Sequence, residues 1–324
     1  MNTKLTEITD HISQLTITDT DEHATIDLLN LFPGVLLGIN YVNIHRITGN
    51  AQEAVNLKTL RINYCFEGRC EVKLTDGRYV YVDNNALCIE DHEPQYNFYY
   101  PLGFYRGIQI FLHKESFTKQ TLDAFQLFGV HLLKITEKYS NSKQTFIQIA
   151  SECFAQKSAE IMSVWENEAL SLEQKLVQIR LLLCQLFYYL TYDEATDKSK
   201  PYNASTLSHS QYLIALDCEQ QITHDLSKKL TIEAMAAGYK ISPSSLKKFF
   251  IGVYGCNISE YTQTMRMKKA QSLLETSELS IMQIASSVGY ENQSKFSAVF
   301  KKHTGYAPLE YKRIYNLKRN EEKL

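Results

Sequence analysis

The strongest constraint on the fold of this 324-residue chain is an internal repeat near its C-terminus, offset by about 50 residues. Met235-Ala236-Ala237 recurs as Ile284-Ala285-Ser286, and Leu246-Lys247-Lys248-Phe249-Phe250 as Phe296-Ser297-Ala298-Val299-Phe300. The run from Gly255 to Tyr261 recurs from Gly305 to Tyr311, sharing Gly, Glu and Tyr in register. A repeat of this length holds two short helices and a turn, so the chain must fold the same small unit twice.

Local signals agree with that reading. Thr231 can cap the first helix of the first copy, and Ser242 followed by Pro243 supplies a cap and an N1 proline for the second. In the second copy Ser280 with Gln283 forms a capping box, and Gly289 supplies the turn. Ala236 and Ala285 are small where two helices must cross closely. This is the grammar of a helix-turn-helix, written twice. Between the copies, Asn257 to about Glu275 reads as one helix with Ile258, Tyr261, Met265, Ala270, Leu273 and Leu274 as its buried stripe. Its length is roughly 28 Å. One turn of B-DNA is about 34 Å, so two recognition helices can reach successive major-groove segments with some bending of the DNA.

At this point the sequence resembles the AraC/XylS family of bacterial transcription regulators. The resemblance rests on Tyr261, Arg266, Ala270, Leu273 and Leu274, then Ile284-Ala285, Gly289-Tyr290, Gln293-Ser294, Phe296-Ser297 and Phe300-Lys301-Lys302. Gly305, Pro308, Tyr311 and Arg313 complete it, over about 100 residues with order and spacing agreeing throughout. Two departures stand out. Lys240 occupies the turn position where the family's first motif usually has glycine, so a side chain must be accepted at a left-handed residue. Ala298 sits where the second recognition helix commonly carries arginine.

The residues expected at the DNA follow from their places in the two copies. Ser244, Ser245, Lys247 and Lys248 lie in the first two turns of the first recognition helix, where an inserted helix reaches bases. Asn292, Gln293, Ser294 and Lys295 are their equivalents, with Gln293 the best reader of an adenine edge. Lys301, Lys302, Lys312 and Arg313 are phosphate contacts or simply solvated charges.

Upstream the periodicity is different. From about 35 to 115 apolar residues alternate, as in Arg69 to Leu74, with Asp76-Gly77 a hairpin signal before Tyr79 to Val82. Ile108, Ile110 and Leu112 share one face, and the spacing of such strands predicts an antiparallel sandwich or barrel. From about 115 to 195 the period is helical. Leu172, Leu176, Ile179, Leu183, Leu186 and Leu190 form a heptad seam, which fits either a helix packed on its own sheet or a homodimer contact. Val177, Leu181, Leu182, Cys184 and Phe187 form a second stripe, so one helix could serve both purposes. Residues 192–208 lack periodicity and read as a linker. The resemblance implies that the strand-rich part is a cupin-like domain. The chain is therefore expected to be α+β: an N-terminal cupin-like β-barrel or sandwich with helices, for ligand sensing and dimerisation (1–191), then the linker, then an all-α DNA-binding domain with two helix-turn-helix motifs (209–318).

Charge supports the division. Residues 209–324 carry 16 Lys+Arg against 11 Asp+Glu, a net of +5, leaving −7 for the first 208 residues. Only the last part is suited to a polyanion. Seven scattered cysteines contain no C-x-x-C pair, and no run of about 18 apolar residues occurs, so a cytoplasmic protein without a membrane span is expected.

His45, His92 and His113 do not fall into a metal-binding pattern, His92-Glu93 being adjacent and facing opposite sides of a strand. No cofactor, metal or catalytic residue is expected. Tyr64, Tyr96, Tyr99, Tyr100 and Tyr105 are numerous enough to line an aromatic pocket, although core packing explains most of them; Tyr64, Tyr96 and Tyr99 are the ligand-binding candidates. The expectation is a ligand-responsive transcription activator with duplex DNA, a small-molecule effector, RNA polymerase and a second copy of itself as partners. The competing readings are a cupin-type metal enzyme with a DNA-binding tail and a constitutive architectural DNA binder. The missing metal triad disfavours the first, and about 200 residues of separately folded domain without a role disfavour the second.

Overall fold

The structure, a computed structural model, describes residues 2–19, 22–48, 59–74, 76–92, 97–140, 145–200, 202 and 206–321. The chain divides into two compact units between Thr206 and Leu207.

The first unit is built on an antiparallel sheet. Its strands are β1 (Asn2–Thr9), β2 (Ile12–Asp19), β3 (Glu22–Phe32), β4 (Val35–Asn43), β6 (Thr59–Gly68), β9 (Ala86–His92), β11 (Tyr105–Leu112) and β12 (Phe146–Ile149), and their order across the sheet is β1-β2-β3-β4-β11-β6-β9-β12. Two small sheets accompany it: β5 (Arg46–Thr48) with β10 (Asn97–Tyr99), and β7 (Cys70–Lys73) with β8 (Tyr79–Val82). The β7–β8 hairpin turns at Asp76-Gly77, as its sequence signal requires.

Period-two patterning gives the large sheet two buried faces. Val35, Leu37, Ile39, Leu60, Ile62, Tyr64, Ile108, Ile110 and Leu112 face one way, into a core completed by helices. Those helices are α1 (Lys119–Leu127), α2 (Leu132–Ser140), α3 (Glu152–Glu166) and α4 (Leu172–Thr191). The opposite face contributes Ile17, Val42, Cys65 and Cys88 to a second core with Val72, Val80 and Val82 of the β7–β8 pair. The unit is thus layered: helices, large sheet, small sheets.

The heptad seam belongs to this unit's own core. Leu176, Ile179, Leu183, Leu186 and Leu190 of α4 are buried among residues of the same chain, and only Leu172, in the first turn, is exposed. The seam is therefore not a dimer contact. In the second stripe Val177 and Leu181 are exposed, whereas Phe187 is buried.

Part of the aperiodic 192–208 stretch is also held on this unit. Ala195 is buried, Thr196 bridges to Ala150, and the Tyr202 hydroxyl donates to the carbonyl of Tyr81. The backbone N–H of Asp83 donates in turn to that hydroxyl at 3.2 Å. A polar segment without periodicity can still be fixed by such individual bonds, a constraint no pattern reports.

The second unit is all-helical: α5 (His209–His224), α6 (Ile232–Gly238), α7 (Pro243–Tyr254), α8 (Ile258–Thr276), α9 (Ile281–Ser287), α10 (Gln293–Thr304) and α11 (Pro308–Glu321). The pairs α6–α7 and α9–α10 are the two helix-turn-helix motifs, and α8 joins them. The α+β architecture expected from the sequence is the one observed.

Candidate nucleic-acid interface

Each motif is fixed at its ends by the expected caps. Thr231 accepts from the N–H of Ala234, and Ser242 from that of Ser245 with Pro243 at the first helical position. Ser280 and Gln283 form a full capping box, and Asn292 caps α10 by accepting from the N–H of Lys295 at 3.0 Å. The turns are left-handed at equivalent places: Lys240 at φ +57° and Gly289 at +82°. Lys240 is a non-glycine residue in the left-handed region; its side chain is exposed, so the strain is confined to its own backbone.

Gly289 faces a second demand. A β-carbon there would lie 2.7 Å from Nη2 of Arg266. Arg266 reaches from α8 to donate through Nε to the carbonyl of Leu226 at 2.9 Å and through Nη2 to that of Lys228 at 3.2 Å. Its guanidinium also lies 5.8 Å from the centre of the Tyr290 ring. One side chain thus ties the joining helix both to the loop before the first motif and to the turn of the second.

The two copies share their packing. In the first, Met235, Ala236, Leu246 and Phe250 are buried, and Tyr261 packs against Phe250 at a ring distance of 5.3 Å. In the second, Ile284, Ala285, Phe296 and Phe300 are buried with Met267, Ala270 and Leu274 of α8, and Tyr311 meets Phe300 at 5.5 Å. Each of these tyrosines donates its hydroxyl to a glutamate on the helix preceding its motif: Tyr261 to Glu219 at 3.0 Å and Tyr311 to Glu275 at 2.7 Å. Burial and the Glu275 bond push the Tyr311 phenol up to about 12, so it stays a donor at neutral pH. The tyrosines aligned by the repeat are its clamps.

With one face of each second helix buried, the other presents polar groups. Lys247 and Lys248 on α7, and Gln293, Ser294, Lys295, Lys301 and Lys302 on α10, are all exposed. Among the described residues, none of these five lysines has a carboxylate within 4.0 Å. Ser244 is exposed and Ser245 half-buried, and both hydroxyls lie 2.9 Å from the capping hydroxyl of Ser242. The Asn292 side-chain oxygen is occupied by its cap. Arg313 is exposed on α11, while Lys312 is half-buried and donates to the carbonyl of Ser277 at 3.0 Å. Lys312 therefore closes the end of α8. Ala298 is exposed on α10, so a short apolar group stands at a solvent-facing position of that helix.

Sequence reasoning missed two supports. Tyr239 donates to Asp217 at 2.6 Å and accepts from Gln221 at 2.7 Å, locking α6 to α5. Met267, not Met265, is the fully buried methionine of α8.

The ligand candidates of the first unit are not brought together. Tyr64 lies in the helix-side core and donates its hydroxyl to Asn85 at 3.0 Å. Tyr99 is buried beneath the Arg46 guanidinium, and Tyr96 lies outside the described residues. Tyr100 and Tyr105 are fully buried on the sheet's other face. Among the described residues no cluster of three or more His, Cys, Asp or Glu side chains could hold a metal ion, and His45 pairs instead with Glu22 at 2.7 Å.

Residues 235–314 match a helix-turn-helix domain family. The Msm operon regulatory protein of Streptococcus mutans is 29% identical over 201 residues, 61% of this chain and 63% of that protein. The chain thus spans a little under two thirds of that relative's length. The probable transcription factor PqrA of Proteus vulgaris is 30% identical over 94 residues, 29% of this chain and 75% of that protein. Among solved structures, the C-terminal domain of AraT, a response regulator from Geobacillus stearothermophilus, is 35% identical, covering 31% of this chain and 84% of that one with a TM-score of 0.30.

Proposed function

Because the chain belongs to the AraC/XylS-type family of helix-turn-helix proteins, we propose that it is a sequence-specific DNA-binding transcription regulator, reading duplex DNA with α7 and α10. The observation that carries this reading is the pair of equivalent helices whose outward faces hold lysines without carboxylate partners among the described residues. Lys247, Lys248, Lys295, Lys301, Lys302 and Arg313 supply charge to phosphates and bases; Gln293 supplies a bidentate amide for an adenine edge. Ser244, Ser245, Asn292 and Ser294 stand at the helix starts, where a phosphate is favoured by exposed N–H groups and the helix dipole.

The first unit acts as the sensor. It binds a small-molecule effector, and binding changes how the second unit engages DNA; the outcome is activation through RNA polymerase, in the cytoplasm, by a protein with no catalytic role. Among the described residues no helix is long and apolar enough to cross a membrane. Dimerisation is assigned to the exposed stripe of α4 at Val177 and Leu181.

The test is a fluorescence-anisotropy titration of the whole chain against duplexes from its own upstream region and from scrambled sequence. The expected result is tighter binding to one of the natural duplexes, falling with salt at a slope of about −0.9 per phosphate neutralised. Equal binding to all duplexes would favour the architectural reading.

A further inference from the structure

The stretch of chain before the second unit is polar from Asp193 to Thr206, and its one aromatic side chain is Tyr202. That ring is half-buried and packs on the core closed by the β7–β8 pair. Its hydroxyl donates to the carbonyl of Tyr81 in β8 and accepts from the N–H of Asp83 at 3.2 Å, with Oδ2 of Asp83 3.1 Å away. Asp83 is itself held, its Oδ1 lying 2.6 Å from Nη1 of Arg69. The Arg69 guanidinium in turn stands 4.9 Å from the centre of the Tyr81 ring. Burial and the Asp83 carboxylate hold the Tyr202 phenol above its ordinary value, so it keeps its proton at neutral pH.

Two other anchors bound this segment. Upstream, the N–H of Asp197 donates to the carbonyl of Ile149 at 2.9 Å, and Thr196 bridges to Ala150. Downstream, Leu207 is buried in the second unit, where a β-carbon on Gly252 of α7 would meet it at 3.1 Å. With Tyr202 seated, the chain from 202 to 207 spans at most about 18 Å; with Tyr202 released, the chain from 197 to 207 spans about 35 Å. The Thr206 hydroxyl accepts from Nη1 of Arg78 at 3.5 Å, an exposed bond too long to hold the segment once the ring has left. The added reach of about 17 Å equals about five base pairs of B-DNA, half a helical turn.

We propose that Tyr202, Asp83 and Arg69 form a latch on the linker, which when closed restricts two copies of this chain to one spacing of their DNA sites and when open relaxes that restriction. The inference rests on the DNA-binding and dimeric reading given above and names an element that regulates it. The latch is suited to opening on its own: one half-buried ring and a few polar contacts hold it, so its release leaves the strands paired. It is also placed to be moved. The turn that carries Asp83 continues to Asn85, whose carbonyl accepts from the N–H of Ala150 at 2.8 Å and whose side chain accepts from the Tyr64 hydroxyl at 3.0 Å. Tyr64 belongs to the helix-side core and Tyr202 packs on the opposite one, so a shift in either core reaches the latch through one turn.

The test compares the whole chain with two substitutions and one insertion. Tyr202→Phe removes the hydroxyl and keeps the ring, and Tyr202→Ala removes both. Five Gly and Ser residues inserted between Ala204 and Ser205 lengthen the tether with the latch intact. The first readout is hydrogen exchange by mass spectrometry. Peptides covering Asp83 and residues 198–206 should exchange about tenfold faster in both substituted chains, the effect of removing the acceptor of the Asp83 N–H, and at the original rate around Asp83 in the insertion chain. The second readout is binding to duplexes carrying two copies of the sequence selected by the unaltered chain, at its best spacing and with five base pairs added. The added base pairs should weaken binding of the unaltered chain at least about tenfold, and of all three variants by less than about threefold.

Unchanged exchange in both substituted chains would overturn the latch. Faster exchange with an unchanged spacing preference would overturn its control of reach, and so would an insertion chain that keeps the original preference. An unaltered chain that binds single sites but never two together would overturn the dimeric reading, and the spacing role with it. Absence of any DNA binding would overturn the proposed function itself, an outcome distinct from the others because it appears already with a single site.

Discussion

Gln293 and Lys301 stand on the same helix and offer DNA different chemistry. An amide can hold an adenine by two bonds, whereas a lysine far from the helix start meets only phosphate. Gln293→Ala is therefore expected to cost about 1–3 kcal/mol at one base pair and to relax specificity there. Lys301→Ala should weaken binding to all sequences about equally and reduce the salt slope by about 1. Binding of each variant to a set of single-base-substituted duplexes separates the two; uniform losses from both would remove Gln293 as a reader. Arg266 is predicted to matter to the fold rather than to DNA. Arg266→Ala deletes two bonds from a charged donor to backbone carbonyls, and should lower stability by about 2–3 kcal/mol in thermal or urea unfolding. The caps and turn residues were legible in the sequence because they act on their own helix within three residues. Arg266 was legible only as part of a family pattern, because the carbonyls it binds lie about 40 positions away, where no local rule reaches.

Helix α4 shows why an element can be read from the sequence while its partner stays open. The heptad spacing from Leu172 to Leu190 defines one apolar stripe, but a sheet of the same chain and a second chain demand the same stripe. The structure places it inside. Ile179→Glu or Leu183→Glu is accordingly expected to unfold the first unit, since a buried carboxylate without a partner costs several kcal/mol. Val177→Glu with Leu181→Glu should leave folding intact, as these positions are 48% and 53% exposed, and convert a dimer to a monomer in sedimentation. A dimer that survives the double substitution would move the contact elsewhere. The strands before residue 35 escaped notice for a different reason. β1 and β2 are rich in Thr and Ser, and β1 is exposed along its whole length, so hydrophobic alternation barely registers. β12 has four residues, too few for a period to show between helices.

At the scale of the whole molecule, the charge asymmetry and the repeat set the helical helix-turn-helix unit apart from the strand-rich one. The buried Arg61–Glu90 ion pair of the first unit was not legible, because it forms only when β6 and β9 come side by side. Coupling between sensing and DNA binding has a thermodynamic signature. If effector tightens DNA binding tenfold, DNA must tighten effector binding by the same factor, about 1.4 kcal/mol either way. Measuring both affinities in one buffer checks this; unequal factors would mean that the two sites are not linked by a simple equilibrium. The central claim, that α7 and α10 read one duplex together, is tested most directly by selecting bound sequences from a random duplex library with the whole chain. The account predicts a two-part consensus for each bound chain. Its blocks should be centred about 10 base pairs apart, one helical turn, and Gln293→Ala should erase preference in one block alone. A single block, or no enriched sequence, would contradict it.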